Sequence, residues 1–260
     1  MVRCPPTQNL CILPPPKKTT WENAPSTEQV AHILAPTTAN HPTAQGIFRR
    51  RVRCMKGNNP MILEEPLSTD VYTAINNRRA IREYTTEPIA QEVLDRVVSA
   101  ALEAPSAFNL QLRDVVVVRD PEVKQALTDS SQQPQFAAAD TVLVFVARAE
   151  AVPDDAAEIL PADYLAGVEK IKAAASPAAL RENALKDAML AAGFALVAAS
   201  AEGLATSPTT GWDEEKVKEI IGLGGREDRA IGLVVAMGHP AATAKHPGRQ
   251  ASRRVEERYS

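Results

Sequence analysis

The chain has 260 residues, of which 45% are hydrophobic, 23% charged and only 4% aromatic, with a formal net charge of −3. This is the composition of a globular protein with an aliphatic core, and it lacks the basic excess that a nucleic-acid partner would require. The longest apolar stretch, around Ala188–Ala201, contains Gly193 and Ser200; it falls short of the roughly 20 apolar residues that span a bilayer, so a buried helix and no membrane contact are expected.

The averages conceal a seam. Residues 1–66 hold ten of the twenty prolines and all three cysteines (Cys4, Cys11, Cys54), and carry eight Lys/Arg against four Asp/Glu; the remainder carries 21 against 28. Pro14–Pro16 and the run Arg49–Arg51 with Arg53 have no apolar period around them. Such a segment buries too little surface to offset its ordering entropy, so residues 1–66 are expected to be disordered and residues 67–260 to form the folded domain. A secretory signal is disfavoured because no apolar core region is present, and a transit peptide because the prolines would break its amphipathic helix. A translation start at Met55 or Met61 is the remaining reading. The cysteines show no metal or CxxC spacing, and a cysteine-free body suits a reducing cytoplasm, the expected location.

From residue 67 the pattern is regular. Ser68 or Thr69 caps an expected helix over Asp70–Asn77, with Val71, Ala74 and Ile75 on one face. Beyond Pro88, Val93, Leu94, Val97, Val98, Ala101 and Leu102 recur at helical spacing until Pro105. Val115–Val118 predicts a strand too apolar for an exposed edge. Asp120-Pro121 supplies a cap and a first-turn proline for a helix over Glu122–Leu127, and Val142–Val146 predicts a second buried strand. Residues 151–180 read as helical and say nothing of chemistry. Glu182–Glu202 predicts a long helix stopped by Gly203, followed by a short strand at Leu204–Ser207. Asp213 caps a helix with Glu214 and Glu215 in its first turn, and Ile231–Met237 predicts a third strand. Strands separated by helices fit α/β or α+β, and the pattern alone does not decide between them.

Three segments carry polar groups suited to a ligand. Arg78, Arg79 and Arg82 crowd one turn, where guanidiniums repel unless an anion sits among them, and their fork geometry suits phosphate; a solvated turn is the alternative. Ser106, Asn109 and Gln111 follow a helix stop and suit either a heterocycle edge or their own loop backbone. Pro208, Thr209, Thr210 and Gly211 precede the Asp213 helix, whose free N–H groups favour negative charge. The glycines at 222, 224 and 225 follow a helix rather than a strand, which rejects a dinucleotide fingerprint. His239 and His246 lack partners at ligand spacing, so no metal site is expected.

In order and spacing, these segments acquire a meaning that none has alone. Arg-Arg-x-Ile-Arg-x-Tyr at 78–84 is followed by Ala-Pro-Ser-x-x-Asn-x-Gln at 104–111 before a valine-rich strand. Pro-x-x-Gly-Trp-Asp-Glu-Glu-Lys-Val stands at 208–217, then Gly-His-Pro at 238–240 and a basic tail. The set resembles the nitroreductase family of FMN enzymes over about Ser68 to Glu257. The resemblance implies an α+β, nitroreductase-like fold: a central, mostly antiparallel sheet flanked by helices, in a homodimer with FMN at the interface.

By the same resemblance, Arg78 grips the FMN phosphate, Arg79 and the Ala80 backbone lie beside the ribityl chain, and Arg82 is a cation near flavin N1 and O2. Ser106, Asn109 and Gln111 reach the neighbouring subunit's flavin, Pro208–Gly211 packs on the ring system, and Gln133 falls near the pyrimidine ring. Arg249, or Arg253 after it, closes on the phosphate. Two positions depart from the family pattern: Ala80 stands where serine is usual, and Leu112-Arg113 replaces Pro-Trp. The resemblance assigns the redox chemistry to flavin N5 and implies no catalytic side chain. NAD(P)H is the implied co-substrate, giving hydride that passes in ping-pong order to a small electron-poor acceptor such as a nitroaromatic or quinone. Flavin reduction, dehalogenation, a biosynthetic oxidation and FMN storage without turnover stay open as alternatives.

Overall fold

The computed structural model describes residues 51–55, 60–64 and 69–258. Most of the segment expected to be disordered, with Cys4, Cys11 and the candidate cap Ser68, lies outside them. Within that segment β1 (Arg51–Met55) and β2 (Pro60–Glu64) pair antiparallel, Arg51 opposite Glu64 and Met55 opposite Pro60. Regular structure thus begins ahead of the expected boundary at residue 67. A two-stranded ladder draws on backbone hydrogen bonds, which hydrophobic periodicity does not report.

Helix α1 (Val71–Asn77) is capped by Asp70, whose carboxylate accepts from the N–H groups of Tyr72 and Thr73 at 3.1 Å. Asp70 therefore takes the place expected of Ser68 or Thr69. Of the three residues expected on one face, Ala74 is buried, while Val71 and Ile75 are exposed. Helix α2 (Gln91–Leu102) buries Leu94, Val97 and Ala101. Strand β3 (Arg113–Val118) leads to α3 (Pro121–Ser131), which has the expected Asp120 cap and first-turn proline, then to the short α4 (Gln135–Ala138) and β4 (Thr141–Arg148). Two helices follow, α5 (Ala156–Ile159) and α6 (Ala162–Ala173).

Helix α7 (Pro177–Ala201) starts five residues before the expected Glu182, because Ser176 caps it and Pro177 fits the first turn. It ends as expected: Gly203 adopts φ +77°, its N–H reaches the Ser200 carbonyl at 3.2 Å, and the Leu204 N–H reaches Ala199 at 2.8 Å. Strand β5 (Ala205–Thr209), helix α8 (Glu214–Ile220) with its Asp213 cap, and β6 (Arg229–Gly238) complete the body.

The sheet order is β3-β4-β6-β5, and every pairing is antiparallel, which settles the fold class as α+β. Across a bulge between Phe145 and Val146, β4 and β6 keep alternate residues on opposite faces. Leu143, Phe145, Leu233, Val235 and Met237 meet α2 and α7 on one face; Val142, Val144, Ile231, Val234 and Ala236 meet α3 and α8 on the other. Helix α7 turns an alanine stripe to the sheet: Ala184, Ala188, Ala191, Ala192, Ala195 and Ala199 are all buried. By length and composition it could cross a membrane, and it packs on β4 and β6.

Strand β3 is an edge strand, contrary to the expectation from its valines. Edge position concerns backbone pairing, whereas its composition answers to its faces: Val115 packs on the α7 side and Val116 on the α3 side. The opposite edge positions the candidate site. Ala80 forms a parallel bridge to Thr206 of β5, the Ile81 N–H donates to the Thr206 carbonyl at 3.1 Å, and Tyr84 bridges Pro240 just beyond β6.

Candidate functional site

Arg78 ends α1, its N–H on the Ala74 carbonyl and its backbone leaving the helix at ψ 126°. The chain then runs extended along β5, so Arg78, Arg79 and Arg82 come to the sheet edge. From the far end of the sequence, Arg249 returns to the same place. Burial first, then the charges of Arg249 and Arg79, hold the Arg78 guanidinium below its ordinary value. Of the two candidate tail arginines, Arg249 is the one whose charge reaches Arg78.

Among the described residues no carboxylate pairs with Arg78, Arg79, Arg82 or Arg249. Arg79 donates to the Arg78 carbonyl and Arg249 to the Gly248 carbonyl, each at 2.6 Å. Arg78 Nη1 and Arg79 Nε are buried without partners, as are the hydroxyls of Thr206 and Ser207. A cluster of guanidiniums with unused donors and no counter-charge fits an anion of phosphate type. The Thr206 hydroxyl also lies in the strand beside Ala80, where the usual serine is absent. Neither Thr206 nor Ser207 is among the expected site residues; the three hydroxyls of β5, on Thr206, Ser207 and Thr209, were the available signal.

Tyr84 anchors this edge. Its hydroxyl lies 2.9 Å from the Ile81 carbonyl and 3.3 Å from the Ala236 carbonyl; burial raises the phenol above its ordinary value. Its ring covers Gly238, where a Cβ would stand 2.9 Å from the ring. The Thr85 N–H on the His239 carbonyl and the Ala241 N–H on the Glu83 carbonyl close the seam.

Pro208 and Thr209 end β5, opposite Val235 and Val234. The turn through Thr210 is held by the Gly211 N–H on Thr209 Oγ1 at 3.2 Å and by the Trp212 indole on the Thr209 carbonyl at 2.8 Å. Gly211 leaves space that a side chain would fill, since a Cβ there would stand 3.3 Å from Gln133 Nε2. Gln133 is oriented by the buried Gln135, whose amide donates to Gln133 Oε1 at 2.7 Å. The Gln133 amide N–H2 is thereby left beside the glycine as a donor.

Ser106, Asn109 and Gln111 form a loop of a different character. Ser106 Oγ accepts from the Gln111 N–H at 3.0 Å, while the Asn109 and Gln111 side chains are exposed. Phe108, Asn109 and Gln111 have φ of 57°, 56° and 52°, with no glycine among them. Left-handed non-glycine residues cost on the order of 1 kcal/mol each and persist where surrounding structure over-determines them. The loop's contacts within its own chain run to α7 through Asp187, which accepts from the Ala107 N–H.

Comparison with known proteins identifies the family of the fold. The Nitroreductase family profile matches residues 75–239. A Thermus thermophilus protein named NADH dehydrogenase is 34% identical over 181 residues, covering 66% of this chain and 87% of that protein. A Bacillus subtilis protein named FMN reductase [NAD(P)H] is 32% identical over 185 residues, covering 68% and 69%. Nitroreductase A of Vibrio parahaemolyticus shares the fold at a TM-score of 0.58 and 24% identity, over 73% of this chain and 77% of that one. The class defined is that of flavin-dependent NAD(P)H oxidoreductases using FMN. The chain belongs to the nitroreductase family.

Proposed function

We propose that this chain works as a cytoplasmic homodimer and passes reducing equivalents from NAD(P)H to a small electron-poor acceptor such as a nitroaromatic or quinone. The observation that carries the site assignment is the cluster of Arg78, Arg79 and Arg249, to which no carboxylate among the described residues is paired. These three hold the phosphate, with Ala80 and its neighbours along the ribityl chain. Pro208, Thr209, Thr210 and Gly211 offer a surface without a protruding side chain for the ring system, and Gln133 offers a donor to its polar edge. Arg82, exposed in the single chain, places positive charge where reduction deposits negative charge. When bound, FMN supplies the centre that takes up hydride at N5 and releases it to the acceptor. The protein binds and orients both reactants there.

A panel of acceptors mixed anaerobically with prereduced protein tests the acceptor class. Nitroaromatics and quinones are expected to reoxidise it at least tenfold faster than they reoxidise free reduced FMN. Equal rates, or reoxidation by halogenated phenols alone, would contradict the assignment.

The dimer is supported by the apolar side chains left outward on two packed helices: Val71, Tyr72 and Ile75 on α1, and Met189, Leu190 and Phe194 on α7. Tyr72 is 77% exposed. Apolar groups in such number on a single chain mark an interface, and Ser106, Asn109 and Gln111 would then serve the second copy's flavin. Light scattering of the flavin-loaded protein is expected to give twice the mass of 28.0 kDa. A flavin-loaded monomer at micromolar concentration would refute both the dimer and the shared loop.

A further inference from the structure

Three buried charges converge behind the strained loop. Asp187 lies on the buried stripe of α7, 4% exposed, and its Oδ1 accepts from the Ala107 N–H at 3.3 Å. Arg113, 5% exposed at the start of β3, donates through Nη2 to the carbonyls of Leu102 and Ala104, each at 2.6 Å, and its positive charge acts on the Asp187 carboxyl. Lys172, 3% exposed on α6, adds a second positive charge acting on Asp187, and its Nζ lies 5.8 Å from the centroid of the Phe108 ring. Three elements distant in sequence thus hold two carbonyls, one N–H group and one ring within the seven residues from Leu102 to Phe108.

We propose that Arg113, Asp187 and Lys172 form a buried charged clamp that sets the shape of the Ser106–Gln111 loop before flavin binds, and so act as positioning residues for cofactor capture. The inference rests on the reading of that loop as flavin-contacting. Stability alone gives the cluster little reason to exist. Removing charges from water is costly, and apolar residues of similar volume commonly do as well or better. Arg113 moreover keeps Nε and Nη1 buried without partners. What the charges achieve, and apolar packing would not, is a grip on backbone polar groups. Arg113 satisfies carbonyls at the end of α2 that the helix leaves open, and Asp187 fixes the first N–H of the turn. With both ends held, Phe108, Asn109 and Gln111 are forced through left-handed conformations that a free loop would leave. Arg113 also belongs to the Leu112-Arg113 pair at which the sequence departs from the family pattern.

The test compares the full wild-type chain with Asp187→Leu, Asp187→Asn and Arg113→Met. It measures FMN affinity, the melting temperature of the apoprotein and amide hydrogen exchange over residues 105–111. Asp187→Leu is expected to weaken FMN binding about tenfold or more and to speed exchange in that peptide while the sheet strands keep wild-type exchange; the apoprotein should also melt lower, because two buried cations lose their counter-charge. Asp187→Asn retains an acceptor oxygen for Ala107 and is expected to recover most of the affinity. Should Asp187→Leu not fold, Arg113→Met carries the same expectation. Unchanged affinity and exchange would overturn the clamp, and so would a loss of affinity accompanied by exchange that speeds equally across the whole sheet. A wild-type chain that binds no FMN would refute the flavin reading, while exchange at 105–111 would still decide the clamp.

Discussion

Replacing Arg78 by alanine is expected to weaken FMN binding roughly ten- to a hundredfold while leaving riboflavin, which has no phosphate, little affected. Hydrogen bonds to charged groups contribute about 1.5–3 kcal/mol, and each 1.4 kcal/mol is about tenfold in affinity. The site geometry adds a second expectation. Burial and the charges of Arg249 and Arg79 already disfavour the Arg78 cation, so the apoprotein gives up no favourable ion pair when Arg78 is removed. The variant's apoprotein should therefore melt no lower than wild type, and inorganic phosphate, which should raise the wild-type melting temperature by occupying the cluster, should raise the variant's less. Arg82→Gln serves as the comparison. Its side chain is exposed and assigned to the ring, so it should alter the flavin's potential more than its affinity. Equal losses of FMN and riboflavin in Arg78→Ala would remove the phosphate assignment.

The second large effect is expected at Gly238. A Cβ at this position would stand 2.9 Å from the Tyr84 ring, with further ring and side-chain atoms at 3.1 and 3.2 Å. Tyr84 cannot swing away freely, since its hydroxyl lies within reach of the Ile81 and Ala236 carbonyls and the flanking backbone is tied on both sides. Overpacking of this kind costs about 1–3 kcal/mol, which for a domain of this size corresponds to a fall of roughly 2–12 °C in melting temperature. Gly238→Ala should also weaken FMN binding, because Tyr84 holds the strand that carries Arg78 to Arg82. Pairing it with Tyr84→Leu should restore part of the lost stability by freeing space. A melting temperature equal to wild type in Gly238→Ala would show that the ring is not fixed as described.

The elements legible in the sequence were those whose signals are local. Asp120-Pro121, Asp213 and Gly203 mark helix ends through hydrogen bonds made within a turn, and all three stand where expected. The all-antiparallel order and the edge position of β3 were not legible from residue pattern, because pairing partners lie far apart in sequence and valines report only that a strand's faces are covered. The exposure of Val71 and Ile75 was not legible for a related reason: their periodicity shows that they share a face, not which way it points. At the site, Arg78 and Arg79 could be suspected from their crowding, whereas their meeting with Arg249 depends on a chain return from beyond β6. The clamp was overlooked although one signal existed. Asp187 interrupts the alanine stripe of α7 at the spacing of its buried positions, and a carboxylate there requires partners.

Rapid anaerobic mixing of the flavin-loaded protein with NADH or NADPH decides whether this chain is an FMN-dependent NAD(P)H oxidoreductase. Absorbance of the oxidised flavin near 450 nm is expected to disappear in a phase whose rate rises and saturates with nucleotide concentration, and an acceptor added afterwards is expected to restore the colour. A tightly bound flavin that keeps its colour with both nucleotides would contradict the account and mark the chain as an FMN-binding protein without turnover.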